Sequence, residues 1–490
     1  MVIMPSTLQY SKFHWQDLHQ ANFTFNSPFS LHSTDEQVFF ANQILRIIPN
    51  KRIVAVGTWQ DKAVVAKLFF DTDRAQQHMT KDLRGIKILQ DNNIPTPALL
   101  YKGISEDRRI YILMFDLISE AENLAEIWKN KKNSPQEILP ILKLVINELA
   151  TQHVLGVLQH DIHLKNFLLT EKRIYSLDGA QIEVFPPLLS KHISINNLAL
   201  FLAQLGVGVE NYQKQLFQYY AHLRGWQTKN VDYDELFYLI NKRNNKRWQQ
   251  FEKKIFRNCS DFSKFRGSTI SGMYDRSYQS AAFVQFLKDP DAIFEQATTT
   301  ILKAGRSATV AKVVCGNHLL VVKRYNMKNL WHRLRRSIRL TRAYLCWRLS
   351  QKCMLFGVQT AKPVAYLEKK YWGFRGKSYY VTEYISGENA GDFLKKNISE
   401  EKTNQMVAHI TALLKNITKL DVTHGDLKIT NILINAQQQP VLIDLDGAIE
   451  HSSLSGLRNT FQHEIKRFLK NFDDQLLLKE KFRNALISAP

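Results

Sequence analysis

Residues 423–449 read THGDLKITNILINAQQQPVLIDLDGAI. Asn431 follows Asp426 by five residues, and Asp444 follows Asn431 by thirteen. Two apolar runs, 432–434 and 441–443, flank the polar stretch 435–440. That pattern predicts two short strands around a turn. The hairpin would return Asp444 beside the loop that carries Asp426 and Asn431. Carboxylate, amide and carboxylate at this spacing suit phosphoryl transfer. A phosphoryl group moves through a loose transition state, so the protein mainly positions groups and neutralises charge. Asp426 is the candidate base facing an acceptor hydroxyl. Asn431 and Asp444 are the candidate holders of Mg²⁺ on the phosphates of ATP, and Lys428 is placed to touch the γ-phosphate.

Such a centre needs elements that carry the nucleotide. Upstream, 309–314 and 318–323 alternate like a strand pair and end in LLVVKRY, which puts Lys323 inside a buried-type strand. Gly305 and Ser307 lie in a turn of small residues before that pair and are candidates to cover ATP phosphates. The turn lacks the three glycines of a G-x-G-x-x-G loop, so on its own it is a weak signal. Residues 379–385 read as a hinge strand, with Glu383 as a cofactor-side candidate that supports it. From Arg324 to Leu367 there are ten Lys/Arg and no acidic residue, so no local glutamate can hold Lys323. Asp444 is the alternative partner.

The first half repeats the pattern. Residues 158–185 read LQHDIHLKNFLLTEKRIYSLDGAQIEVF, with Asp161 and Asn166 again five apart. The tetrapeptide LDGA recurs at 177–180 and 445–448. Asp161 and Asp426 are 265 residues apart, so the pattern is a domain duplication rather than a short-period solenoid. Aligning the two LDGA segments makes the first hairpin three residues shorter. It sets Ser176 opposite Asp444 and Asp178 opposite Asp446, with His163 replacing Lys428. A serine is a poor Mg²⁺ ligand, so a weakened or inactive first site is expected, with Asp178 available to swing in as ligand beside Asn166. Lys67, at the end of the strand-like run 63–70, matches Lys323. Asp82, on the helix predicted over 74–90, is its expected partner.

The catalytic stretch resembles the catalytic and metal-binding loops of protein-kinase-like enzymes. It is most similar to the bacterial lipopolysaccharide kinase family, which phosphorylates Kdo or heptose in the lipid A inner core. The segments IDLDGA, VVKRYN and GVQTAKPVAYLEKK carry the likeness, over about residues 301–450. The resemblance implies an α+β fold of two tandem kinase-like domains, each a small β-rich lobe and a mainly helical lobe. Their expected bounds are 1–263 and 291–490, with a Ser- and Gly-containing linker at 264–290. It implies ATP and Mg²⁺ as cofactors and a sugar or lipid-linked sugar as acceptor. A Ser/Thr protein kinase and a non-catalytic scaffold are the competing expectations.

Composition bounds the partners. The chain has 490 residues, enough for two or three domains, and a formal charge of +21 that favours anionic ones. No nucleic-acid recognition motif is present, so nucleic acid is not the expected partner. Lys328, Arg335, Arg339 and Arg342 fall on one face if 328–348 is a single helix. That face would meet an anionic membrane surface. No C-x-x-C pairs the four cysteines, which argues against zinc or a disulfide framework and for a reducing compartment. Neither a signal peptide nor a spanning helix is expected, so the expected site is the cytoplasm or the inner face of its membrane. Nothing in the pattern sets an oligomeric state.

Overall fold

The computed structural model describes the chain apart from residues 1–9, 24, 26–27, 72, 172, 327–339, 372–373, 397 and 488–490. The chain divides into two units. One comprises 1–205 with 210–244, and the other 206–209 with 245–490. Each combines a seven-stranded sheet with a group of helices.

In the first unit the sheet runs Ser11–Lys12, Phe29–His32, Val38–Ile48, Arg52–Trp59, Lys62–Phe69, Tyr111–Asp116, Leu99–Ile104. Arg52–Trp59 shows why it is a strand, since every second residue, beginning with Ile53, is buried. Ile53, Ala55, Val64, Ala66 and Leu68 pack on one face. The other face receives the helix Ala75–Asp91 through Met79, Ile86 and Leu89, which meet Phe69, Leu113 and Phe115. Lys67, out of phase with Leu68, therefore points toward that helix. Helices Leu124–Lys131, Pro135–Val154, Lys191–Leu202 and Glu210–Leu223 follow.

In the second unit the sheet runs Phe262–Arg266, Ile270–Asp275, Pro363–Tyr371, Phe374–Glu383, His318–Tyr325, Ala308–Cys315, Thr300–Ala304. The helix Arg342–Leu355 lies in sequence between His318–Tyr325 and Pro363–Tyr371. Val322, Leu320, Ala311 and Val313 pack on Phe283 and Leu287 on one face. The opposite face shares a core with Cys346, Trp347 and the helix Glu400–Thr418. Five strands have the same spatial and chain order in both sheets, with a helix between the third and fourth in sequence.

Three expectations change. The residues 36–48 on their own suggest a helix, but Val38–Ile48 is a strand. Register shifts at Ala41/Gln43 and Ile44/Arg46 interrupt its period-two pattern, which hides the strand from a periodicity reading. Residues 264–290, expected as a linker, contribute Ile270–Asp275 to the second sheet and form the helix Ala281–Lys288. Gly272 belongs there for packing, because a Cβ would lie 1.9 Å from the Tyr366 carbonyl oxygen. Finally, 328–348 is not one helix. Thr341 caps the helix Arg342–Leu355 through Tyr344 N–H at 3.2 Å, so Arg342 starts a new element. Lys328, Arg335 and Arg339 lie outside the described residues.

Candidate active site

In the second unit the loop starts where Val422–Thr423 pairs with Ile449–Glu450. Gly425 follows with φ 81°, and a Cβ there would lie 1.8 Å from the Gly447 carbonyl oxygen. Only glycine fits, on both dihedral and space. Glu464, buried on the helix Leu454–Leu469, accepts from the His424 N–H at 3.2 Å and from the Gly425 N–H. Burial raises the Glu464 carboxyl above its ordinary range, against the pull of those two amides. His424 is buried, which lowers its pKa, and Nε2 donates to the Ile443 carbonyl at 2.9 Å. These contacts tie the loop to the hairpin and to a helix.

Asn431 donates from Nδ2 to the Asp426 carbonyl at 2.8 Å, and its own carbonyl accepts from Ile443 N–H at 2.9 Å. The hairpin Ile432–Asn435 and Pro440–Leu442 then delivers Asp444, as its spacing implied. Asp444 holds left-handed backbone, φ 62° and ψ 58°. That conformation costs a non-glycine residue roughly 1–3 kcal/mol, although Asp tolerates it better than most. The Asp426 carboxylate is partly exposed and takes two cations, Lys428 at 3.1 Å and Arg467 at 2.7 Å. Arg467 comes from the helix Leu454–Leu469, and no spacing in the sequence signalled it.

Lys323 reaches this hairpin from the sheet. Its Nζ lies 2.6 Å from Asp444 Oδ1 and 2.6 Å from Asp446 Oδ2. Burial alone would lower the Lys323 pKa, but the two carboxylates outweigh it and the net shift is upward. Asp444 is shifted down, because Lys323 outweighs its burial. Asp446 in turn accepts from the Tyr325 hydroxyl and from Cys346 Sγ at 3.3 Å. Asp446 thus supplies the second carboxylate that no helix residue provides. The sequence signal was the pair of aspartates two apart in LIDLDG.

The remaining candidates of this unit divide. Gly305 N–H bonds the Ala308 carbonyl at 3.0 Å, and the Ser307 carbonyl accepts from Asn326 N–H at 3.0 Å. This small-residue turn is therefore fastened to the end of the Lys323 strand. Glu383 ends the strand Phe374–Glu383, and its carboxylate accepts from the Tyr278 hydroxyl and meets Lys362 at 3.5 Å. It is bound to its own neighbours, as a support of the strand end.

In the first unit Lys67 Nζ meets Asp82 at 2.8 and 3.0 Å, and Asp82 is fully buried. Asp178 lies 3.6 Å from Lys67. Asn166 Nδ2 donates to the Asp161 carbonyl at 2.8 Å, and His163 meets the Asp161 carboxylate at 2.6 Å. The alignment of the two LDGA segments does not survive. Phe167 pairs with Ser176 where Ile432 pairs with Leu442. Leu177 N–H bonds the Asn166 carbonyl at 2.8 Å where Ile443 bonds that of Asn431 at 2.9 Å. Asp178, at φ 64°, is therefore the counterpart of Asp444 at φ 62°. Ser176 is buried in a strand and accepts from Gln152 at 3.3 Å. The first hairpin is one residue shorter, not three, since Asp161 and Asp178 are 17 apart and Asp426 and Asp444 are 18 apart.

Among the described residues no three His, Cys, Asp or Glu side chains cluster as a metal cage. An amide and one carboxylate still fit Mg²⁺, which is commonly held by one or two carboxylates together with the phosphates of a nucleotide. All four cysteines are free and buried, and no helix among the described residues is long and apolar enough to cross a membrane.

Residues 293–485 match the model of the lipopolysaccharide kinase (Kdo/WaaP) family. The chain is also similar to the serine/threonine-protein kinase 1 of Heliothis zea nuclear polyhedrosis virus, 33% identical over 66 residues. That likeness covers 13% of this chain and 25% of the viral protein. Both comparisons place the chain beside phosphotransferases, and the family match contains every element of the site built from Lys323, Asp426, Asn431 and Asp444.

Proposed function

We propose that the second unit transfers the γ-phosphoryl group of Mg·ATP to a hydroxyl of a sugar or lipid-linked sugar, with lipopolysaccharide inner core as the candidate acceptor. The observation that carries this reading is the joining of Lys323 to Asp444 within the segment that matches the lipopolysaccharide kinase family. Asp426 takes the acceptor proton. Asp444 and Asn431 hold Mg²⁺, which neutralises phosphate charge when bound. Lys323 holds the α- and β-phosphates, and Lys428 balances charge on the γ-phosphate. The turn at Gly305 and Ser307 covers the phosphates. The tandem arrangement of two kinase-like domains is part of this proposal, supported by the common strand order.

Transfer of labelled phosphate from ATP to purified lipopolysaccharide, and not to protein, is the expected result. Labelling of protein alone would favour the second reading, a Ser/Thr protein kinase, which rests on the likeness to the viral kinase. Contact with an anionic membrane through 328–348 remains part of the proposal for Lys328, Arg335 and Arg339. Arg348 does not contribute, because it is paired with Glu252 and Glu450. Loss of sedimentation with anionic vesicles in an Arg335→Glu, Arg339→Glu chain tests it.

A further inference from the structure

We infer that the first unit holds a second phosphoryl-transfer site for Mg·ATP, built from Lys67, Asp82, Asp161, Asn166 and Asp178, independent of the site in the second unit. This goes beyond the family match, which begins at residue 293. It rests on the reading of the second site only for the role of each position.

Strand pairing and the Leu177–Asn166 bond put Asp178 where the second unit has Asp444. The left-handed backbone recurs at both aspartates, although a non-glycine residue pays for it. The shared conformation at a shared register makes Asp178 the structural equivalent of Asp444. Lys67 occupies the register of Lys323. It pairs with Val54 and Leu113 on the neighbouring strands, as Lys323 pairs with Val310 and Tyr380.

The lysine is held more completely here than in the second unit. Asp82 comes from the helix Ala75–Asp91, is fully buried, and also accepts from the Gly179 N–H at 3.1 Å. Gly85 and Gly179 let the helix close onto the hairpin, since a Cβ on Gly85 would lie 1.8 Å from the Gly179 carbonyl oxygen. Arg52 adds a cation 3.6 Å from Asp82. Well-packed apolar residues in place of a buried ion pair are often neutral or stabilising, so a chain that needed only a core here would have no use for Lys67 and Asp82. Lys67 keeps 14% of its side-chain surface exposed, and Asp178 keeps 24%. Both remain open to a ligand.

The chemistry closes without further reagents. An acceptor oxygen bonds to the γ-phosphorus as the bond to the β–γ bridging oxygen breaks. The electron pair leaves on ADP, and the acceptor proton passes to the Asp161 carboxylate. Asp161 is 38% exposed, which leaves it reachable by a hydroxyl. His163 stands where the second unit has Lys428, so the two sites differ in the cation beside the base.

The test uses the full chain with Mg²⁺ and the non-hydrolysable analogue AMP-PNP in titration calorimetry. Two bound nucleotides per chain are expected, one lost in Asp178→Asn and the other in Asp444→Asn. Both changes preserve side-chain size, and thermal unfolding checks that each variant folds. A single nucleotide that survives Asp178→Asn and disappears in Asp444→Asn overturns this inference and leaves the reading of the second unit standing. A single nucleotide with the opposite behaviour supports the inference and overturns that reading. No binding at all overturns both. For the transfer step, phosphate release from ATP by an Asp426→Asn chain should fall about 100-fold or more on adding Asp161→Asn. No further fall, or no release to begin with, overturns the transfer step.

Discussion

Lys323 lies 2.6 Å from Asp446, a carboxylate on the chain segment just past the hairpin rather than on the neighbouring helix. In the first unit the corresponding lysine finds its second carboxylate, Asp82, on a helix. In the second, the helix Arg342–Leu355 presents Cys346, whose Sγ lies 3.3 Å from the aspartate that replaces it. The lysine is fixed in both units by different parts of the fold.

Asp446→Asn should therefore loosen Lys323. A hydrogen bond to a charged group contributes about 1.5–3 kcal/mol, so nucleotide affinity at this site should fall roughly tenfold or more. Tyr325 can still donate to the amide oxygen, which limits damage to the fold. Calorimetric titration of the second site with Mg·AMP-PNP checks this, and an unchanged dissociation constant would remove Asp446 from the site.

Asp426 and Asp444 should separate by phenotype. In a chain that also carries Asp161→Asn, so that only the second site is read, Asp426→Asn removes the proposed proton acceptor and no proposed metal ligand, so transfer should drop about 10²–10⁴-fold while nucleotide affinity holds. Asp444→Asn should weaken Mg·AMP-PNP binding as well. Equal losses of affinity in the two variants would refute the division of roles.

Much of this centre was legible because its spacing is local. Asp426, Asn431 and Asp444 lie on one loop and one hairpin, and a five-residue and a thirteen-residue gap suffice to group them. Lys67 and Asp82 were legible as a strand lysine and a helix carboxylate. Arg467, Glu464 and Cys346 were not, because each arrives from a distant helix whose own pattern is that of an ordinary amphipathic or buried helix. The error at Ser176 had a different origin. LDGA is the same string in both halves, but Asp178 of the first corresponds to the aspartate just before the second, and only strand pairing reveals it. The strands Phe262–Arg266 and Ile270–Asp275 were hidden by Ser and Gly, which there serve close sheet packing rather than freedom of the chain.

Gly425→Ala should disable the second site from the backbone. Its φ of 81° and the 1.8 Å approach of the Gly447 carbonyl oxygen leave no place for a methyl group. The strain should amount to about 1–3 kcal/mol and be relieved by shifting the loop that carries Asp426. Transfer by the second site, read in a chain that also carries Asp161→Asn, should fall well beyond the loss of stability seen by thermal unfolding. A variant with wild-type turnover would show that the close approach does not position the loop.

The first unit should lose stability as the medium turns mildly acidic. His153, on the helix Pro135–Val154, is 1% exposed, and burial lowers its pKa from 6.5 to about 4, helped by the charge of Arg224. Its neutral form is specified by its partners. Nδ1 faces the Tyr220 hydroxyl at 2.6 Å, and Nε2 faces Asn197 Oδ1 at 3.0 Å. Tyr220 is also bonded by Arg224 at 2.6 Å, so its hydroxyl hydrogen is free to point at Nδ1. Asn197 then holds the Gln159 carbonyl at 2.8 Å, just before Asp161. The unfolded chain takes up a proton near 6.5 and the folded one only near 4, so this contribution is complete above 6.5 and is lost as pH falls toward 4. A difference of that size corresponds to on the order of 3 kcal/mol. The urea midpoint of the unit should decline between pH 7 and pH 5, and His153→Gln should flatten that decline at the cost of a lower midpoint at pH 7. An equally steep decline in His153→Gln would assign the acid sensitivity to other groups.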